Sequence, residues 1–182
     1  MPRAYTRTAI ALHWLIALLI LAALPLGLTM TGMDLSPQKL KFYAWHKWLG
    51  VTVFGLAVLR LLWRVGHPAP PWPQTMPAWQ RRTAQGLHWA LYVLMLAIPL
   101  AGWLMSSAKG FQTVYLGLLP IPDLLSKDEV LGGILARLHA ALAYALIVLI
   151  VVHVAAALKH HLIDGDDILR RMLPRINAKE TT

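Results

Sequence analysis

Four apolar blocks, separated by short polar and basic stretches, dominate the chain and run over residues 9–28, 43–63, 84–105 and 134–158. Each is about 20 residues or more, enough as a helix rising ~1.5 Å per residue to cross a ~30 Å hydrocarbon layer. Pro25 and Pro99 fall inside the first and third blocks. Neighbouring helices can re-satisfy the carbonyls they free, so a kink rather than a break is expected.

The links carry their own signals. Thr31-Gly32-Met33-Asp34 and Ser36-Pro37 are turn chemistry, and His67-Pro68-Ala69-Pro70-Pro71-Trp72-Pro73 should be extended. The third link, about residues 106–133, is long and is expected to be a partly ordered loop. Past the fourth block, Asp164-Gly165-Asp166-Asp167 should stop the helix, and residues 168–173 suggest a short amphipathic surface helix. The expected fold class is therefore all-α: an integral membrane four-helix bundle forming one domain over residues 1–182.

Composition sharpens this picture. Hydrophobic residues make up 58% and charged residues 14%, with a mean hydropathy of +0.56, whereas soluble domains average nearer ~45–50% and ~25%. The net charge of +9 would suggest nucleic acid in a soluble protein, but here the basic residues sit between apolar blocks, where they set topology. Nucleic-acid binding is set aside on that patterning. The basic start and first block resemble a signal peptide, yet the block's length and the lack of a clean small-x-small site mark a retained span. With no cysteine, disulfides, iron–sulfur clusters, thiolate-ligated haem and c-type attachment are excluded.

Orientation follows from the cations. Arg3, Arg7, Arg60, Arg64, Arg81, Arg82, Lys159, Arg170, Arg171, Arg175 and Lys179 lie on one side, and Lys39, Lys41, Lys47, Lys109, Lys127 and Arg137 on the other. Eleven against six places both termini in the cytoplasm. The chain also carries a repeat: Thr8-Ala9-Ile10-Ala11-Leu12-His13-Trp14 with Pro25-Leu26-Gly27, and Thr83-Ala84-Gln85-Gly86-Leu87-His88-Trp89 with Pro99-Leu100-Ala101-Gly102. A duplicated helix hairpin of this kind implies a pseudo-two-fold axis along the membrane normal.

Five of the eight histidines, His13, His46, His88, His139 and His153, lie in or near the apolar blocks, where ionisable groups are costly and usually functional. They form two layers: His13, His88 and His153 on the cytoplasmic side, His46 and His139 on the outer side. His139 and His153 are 14 residues apart, within ~40° of one helix face and ~21 Å along it. Two haems stacked across a bilayer would stand about that far apart, and bis-histidine ligation from facing helices is a common way for a bundle to hold haem b. His46 with His139 is the simplest outer pair. In the inner layer, spacing leaves His153 free to face His13 or His88, and symmetry permits His13 with His88.

His13-Trp14, His46, His139 and His153, together with Gly102-Trp103-Leu104-Met105-Ser106-Ser107, Leu158-Lys159-His160-His161 and Leu169-Arg170-Arg171-Met172-Leu173-Pro174, resemble the bacterial cytochrome b561 family over nearly the whole chain. The resemblance implies two b-type haems held through iron by His13 with His153 and by His46 with His139. His88, His160, Lys109 and Arg82 are then candidates for quinone or propionate contacts. Arg7 and Arg81 are further candidates at the inner propionates, and Lys47 and Arg137 at the outer ones. His161 is left as an interfacial residue and His67 as a loop residue.

Bis-histidine iron is six-coordinate, which blocks dioxygen binding and favours outer-sphere electron transfer. The family is similar to a superoxide oxidase, which implies electrons passing from periplasmic superoxide to ubiquinone in the bacterial inner membrane, with Lys39, Lys41 and Lys47 steering the anion. It is also similar to the cytochrome b subunits of hydrogenases and formate dehydrogenases, so an anchor subunit fed by a partner oxidoreductase or periplasmic protein is the alternative. A third reading, a histidine-lined metal transporter, fits the two-layer arrangement less well.

Overall fold

The computed structural model describes residues 4–174; Arg3, Arg175 and Lys179 of the orientation count lie outside them. The order is α1 (Arg7–Thr31), α2 (Pro37–Gly66), α3 (Ala78–Ala108), the strands β1 (Thr113–Tyr115) and β2 (Leu119–Ile121), α4 (Glu129–Leu162) and a single 3-10 turn (Arg170–Met172). All four α-helices are long and apolar enough to cross a membrane. Three of them, α1, α2 and α4, begin on side-chain caps. The side chains of Thr6, Ser36 and Asp128 accept hydrogen bonds from the amides of Ala9, Lys39 and Leu131, and Pro37 opens α2 where its missing N–H costs nothing. Each helix outruns its apolar block because polar end turns continue it into the interfacial layer.

α1 packs on α2, α2 on α3, and α3 on α4, the arrangement of two consecutive helix hairpins. The bundle core lies midway along, formed by Ile16, Ile20, Val53, Ala57, Tyr92, Met95 and Leu146. Large apolar side chains such as Leu18, Leu62, Val148 and Val151 point outward. On a soluble protein such a surface would be a liability, whereas against lipid it is the expected face. One end of the bundle, here the terminal end, gathers the start of α1 and the end of α4. The opposite hairpin end carries the β-strands.

Two expectations change. The long third link is ordered: Thr113 pairs with Ile121 and Tyr115 with Leu119 around a turn in which Leu116 and Gly117 both have positive φ (53° and 71°). Trp48 Nε1 donates to Val114 O at 2.7 Å and Lys47 Nζ to Phe111 O at 2.8 Å, fastening this hairpin to α2. The expected amphipathic helix over 168–173 shrinks to one 3-10 turn. Arg171 is drawn to Asp167 and to the Pro71 carbonyl, Pro174 follows, and so short a segment cannot repay helix nucleation.

Candidate functional site: two layers of histidine

At the hairpin end, His46 of α2 and His139 of α4 face each other with ring centroids 6.1 Å apart and planes at 81°. Their Nδ1 atoms lie 3.1 Å from Ala23 O and 2.9 Å from Ile98 O. A carbonyl only accepts, so each Nδ1 carries the proton and each Nε2 keeps its lone pair, the arrangement a metal-bound imidazole needs. Glycine makes the contact possible. Ala23 lies four residues before Gly27, and Ile98 four before Gly102. A Cβ on Gly27 would stand 2.9 Å from His46 Cε1, and one on Gly102 would stand 3.1 Å from His139 Cε1. Each ring thus sits in a notch on the neighbouring helix. The two notches repeat the same local design in the two halves of the chain. A cavity of about 1110 Å³ opens beside them, with Lys39, Lys47 and Lys109 in its wall.

At the terminal end, His13 of α1 and His153 of α4 have ring centroids 6.3 Å apart, while His88 of α3 stands 5.4 Å from His153. Two imidazoles bound through nitrogen at about 2.0–2.1 Å to one metal, with ring centres about 1.1 Å further out, would put their centroids ~6.2–6.4 Å apart. His46–His139 and His13–His153 fit that separation and His88–His153 is too close, so the residues present suit two bis-imidazole irons. Trp72 stacks near His88 at 6.4 Å. A second cavity, about 190 Å³, is lined in part by Tyr5, Arg64, Trp72, Gln85, His88 and Arg171. Burial raises the Tyr5 hydroxyl pKa above its ordinary value, against the opposing pull of Arg64.

The remaining candidates fall into place unevenly. Arg7, Arg81, Arg82, Arg137 and Lys41 are exposed. Lys39 Nζ donates to Met33 O at 2.5 Å. His160 Nδ1 lies 2.7 Å from Asp166 and 3.1 Å from Asp164, and Lys159 also holds Asp164. His160, Asp164 and Asp166 are close enough to hold a metal ion, but Lys159 already pairs with Asp164, and the cluster closes the end of α4. His161 is half-buried, and His67 stacks flat on Trp63 with centroids 4.0 Å apart.

The sequence reading missed the charged pair nearest the terminal-end histidines. Arg60 Nη1 lies 2.8 Å from His13 Nδ1, and Arg60 and Arg64 both lie over the Tyr92 ring, at 5.6 and 5.8 Å. A usable signal was present: Arg60 follows His46 by fourteen residues, as His153 follows His139. Gly27 and Gly102 were visible in the repeat, but no role could be given to them without the rings above.

Comparison with known proteins places these features. The sequence model of a family described as prokaryotic cytochrome b561 matches residues 4–175. The chain is 36% identical over 179 residues to cytochrome b561 homolog 2 of Escherichia coli K12, covering 97% of this chain and 95% of that protein. It is 30% identical over 178 residues to cytochrome b561 homolog 1 of the same organism, covering 94% and 97%. A protein of Yersinia pestis named probable superoxide oxidase CybB is 28% identical over 180 residues, covering 96% and 98%.

Proposed function

The chain belongs to the prokaryotic cytochrome b561 family of haem-binding membrane electron carriers, and from that premise we propose that it carries electrons through two b-type haems, from superoxide outside a bacterial inner membrane to ubiquinone within it. The two haems would be held by His46 with His139 and by His13 with His153. The observation that carries this reading is their separation, 6.1 and 6.3 Å between ring centroids, in two layers one above the other. Held by two imidazoles each, the haems would supply one-electron couples suited to outer-sphere transfer rather than to dioxygen binding.

The protein's own residues do the rest. His46 and His139 present Nε2 because Ala23 and Ile98 fix the proton on Nδ1. Fourteen residues of α4 hold the layers ~21 Å apart, and Val53, Leu146, Ile20 and Met95 keep water out between them. With the termini in the cytoplasm, the hairpin end faces outward. Lys39, Lys47 and Lys109 there raise the local concentration of a small anion before it reacts. At the terminal end, the cavity beside His88 combines the aromatic walls of Trp72, Trp89 and Tyr92 with hydrogen-bonding side chains of Tyr5, Gln85 and His88, which suits a quinone headgroup; His160 and Arg82 do not line it. Two superoxide anions leave two dioxygen molecules and two electrons, and with two protons from the terminal side these convert one quinone to its quinol. The name of the Yersinia pestis relative supports superoxide as the donor.

The test uses the purified, isolated chain: haem quantitation, a reduced-minus-oxidised spectrum, and superoxide-driven ubiquinone reduction. Two haems per chain with quinol formation is the expected result. No haem would end the electron-transfer reading. Two haems without activity, until a co-purifying oxidoreductase is added, would make the chain an anchor subunit instead.

A further inference from the structure

Resting on that two-haem reading, we infer that Arg60 is the carboxylate-binding residue of the terminal-end haem, and that it leaves His13 when the haem is bound. The starting observation is chemical. A guanidinium has five donors and no acceptor, so at 2.8 Å from Arg60 Nη1 the Nδ1 of His13 must be the acceptor. A neutral imidazole then carries its proton on Nε2. This is the reverse of His46 and His139, whose Nδ1 atoms donate to main-chain carbonyls. The hairpin-end layer is set for ligation as it stands; the terminal-end layer is held in the opposite tautomer by an arginine. For Nε2 of His13 to bind iron, Nδ1 takes the proton, and two donors then face each other. Arg60 has to turn away.

It needs an anion to turn to. Arg60 and Arg64 are half-buried one helical turn apart, both over Tyr92, and among the described residues neither lies within ion-pair distance of an Asp or Glu. A buried cation without a counter-charge is costly. A b-type haem brings two propionate carboxylates, which match the planar donor fork of arginine. The chain's repeat says where Arg60 points. It stands fourteen residues beyond His46 on α2, as His153 stands fourteen beyond His139 on α4. Arg60 is thus the pseudo-symmetric mate of an axial histidine and faces the same axis. The first half of the duplication holds a haem-edge cation where the second holds a ligand.

The test is a redox titration of the haem-loaded full chain in wild type, Arg60→Gln, Arg60→Lys and Arg64→Gln. Reduced iron carries one positive charge fewer than oxidised iron, so a guanidinium on a haem carboxylate favours the reduced form. Arg60→Gln should shift one of the two midpoint potentials downward, or release that haem, while the other stays put. Arg60→Lys should restore the wild-type value, and Arg64→Gln should shift the same haem by less. If Arg60 instead stayed on His13 Nδ1, both ring nitrogens would be engaged as lone-pair donors and the ligand would be an imidazolate. Removing the arginine would then raise the potential. An upward shift, no shift, or loss of the haem in both Gln and Lys variants would overturn the assignment. A wild-type chain with fewer than two haems would remove the underlying reading and this inference together, which the haem count distinguishes from the other failures.

Discussion

Replacing Gly27 by alanine tests whether the notch under His46 is what readies the hairpin-end layer for haem. The added Cβ would stand 2.9 Å from His46 Cε1, where two carbons prefer about 3.5–4.0 Å. The ring has to retreat by about 0.6 Å or more, or α1 and α2 have to part by as much. The bond from Nδ1 to Ala23 O is already 3.1 Å, near the long end of the normal range, so that retreat breaks it. Overpacking of this kind costs about 1–3 kcal/mol, and the lost hydrogen bond contributes about 0.5–1.5 kcal/mol more. At 1.4 kcal/mol per factor of ten, haem retention at that layer should weaken roughly 10- to 1000-fold. Gly102→Ala, with its Cβ at 3.1 Å from His139 Cε1, should act in the same direction by less. Gly86→Ala is the control: its Cβ meets nothing within 4 Å, and it should leave haem untouched while favouring α3 by about 0.5–1 kcal/mol. Haem per chain, and the rate at which each haem passes to a scavenging apoprotein, read the effect. Two tightly held haems and a wild-type release rate in Gly27→Ala would show that the notch does not ready this layer.

Three further outcomes follow from the same geometry. His13→Ala and His139→Ala should each remove one haem and leave the other, whereas His88→Ala should keep both; haem quantitation decides, and loss with His88 in place of His13 would reassign the terminal-end pair. Neutralising Lys39, Lys47 and Lys109 together should slow superoxide-driven quinone reduction and flatten its dependence on ionic strength, seen by repeating the assay across salt concentrations. At the terminal end, hydrogen bonds from Lys159 and Arg171 hold the carboxyls of Asp164 and Asp167 below their ordinary range. A depressed folded-state pKa gives stabilisation that is present above the ordinary carboxylate value and lost as pH falls through the folded one. The tail over the bundle should therefore stay docked at mildly acidic pH and release only in stronger acid. Asp167→Asn should abolish that step, with Trp14, bonded through Nε1 to Met172 O at 2.8 Å, as the fluorescent reporter.

The four helices were legible because lipid imposes a pattern that survives without any knowledge of packing: a run of apolar residues long enough to cross. The two histidine layers were legible for a related reason, since residues fourteen apart on one helix share a face whatever that face packs against. What the pattern could not reveal depended on partners distant in sequence. Three-residue strands such as Thr113–Tyr115 and Leu119–Ile121 are too short to show alternation. They are held by Trp48 and Lys47 from a helix some 65 residues away. Spacing could not choose between His13 and His88 as the partner of His153, because both reach its level; centroid distances of 6.3 and 5.4 Å separate them. Arg60 and Arg64 were counted for orientation alone, because an arginine near a helix end is ordinarily read as an interfacial anchor.

The duplication explains why the two layers differ. A perfect repeat would place equivalent groups at every pair of matching positions, and at the hairpin end it nearly does. Gly27 and Gly102 lie fourteen residues past His13 and His88, and each makes room for a histidine of the following helix, so His46 and His139 meet across the pseudo-axis in like surroundings. At the terminal end the same operation would pair His13 with His88 and Arg60 with His153. The second half kept a histidine on α4 and the first carries an arginine on α2, so the symmetry breaks at the one position that decides ligation. One layer is prearranged through main-chain carbonyls, with lysines in the cavity wall beside it, while the other has an arginine directly against His13. On the two-haem reading, Arg60 at a haem carboxylate would raise the potential of the terminal-end haem, because a nearby cation favours the reduced state.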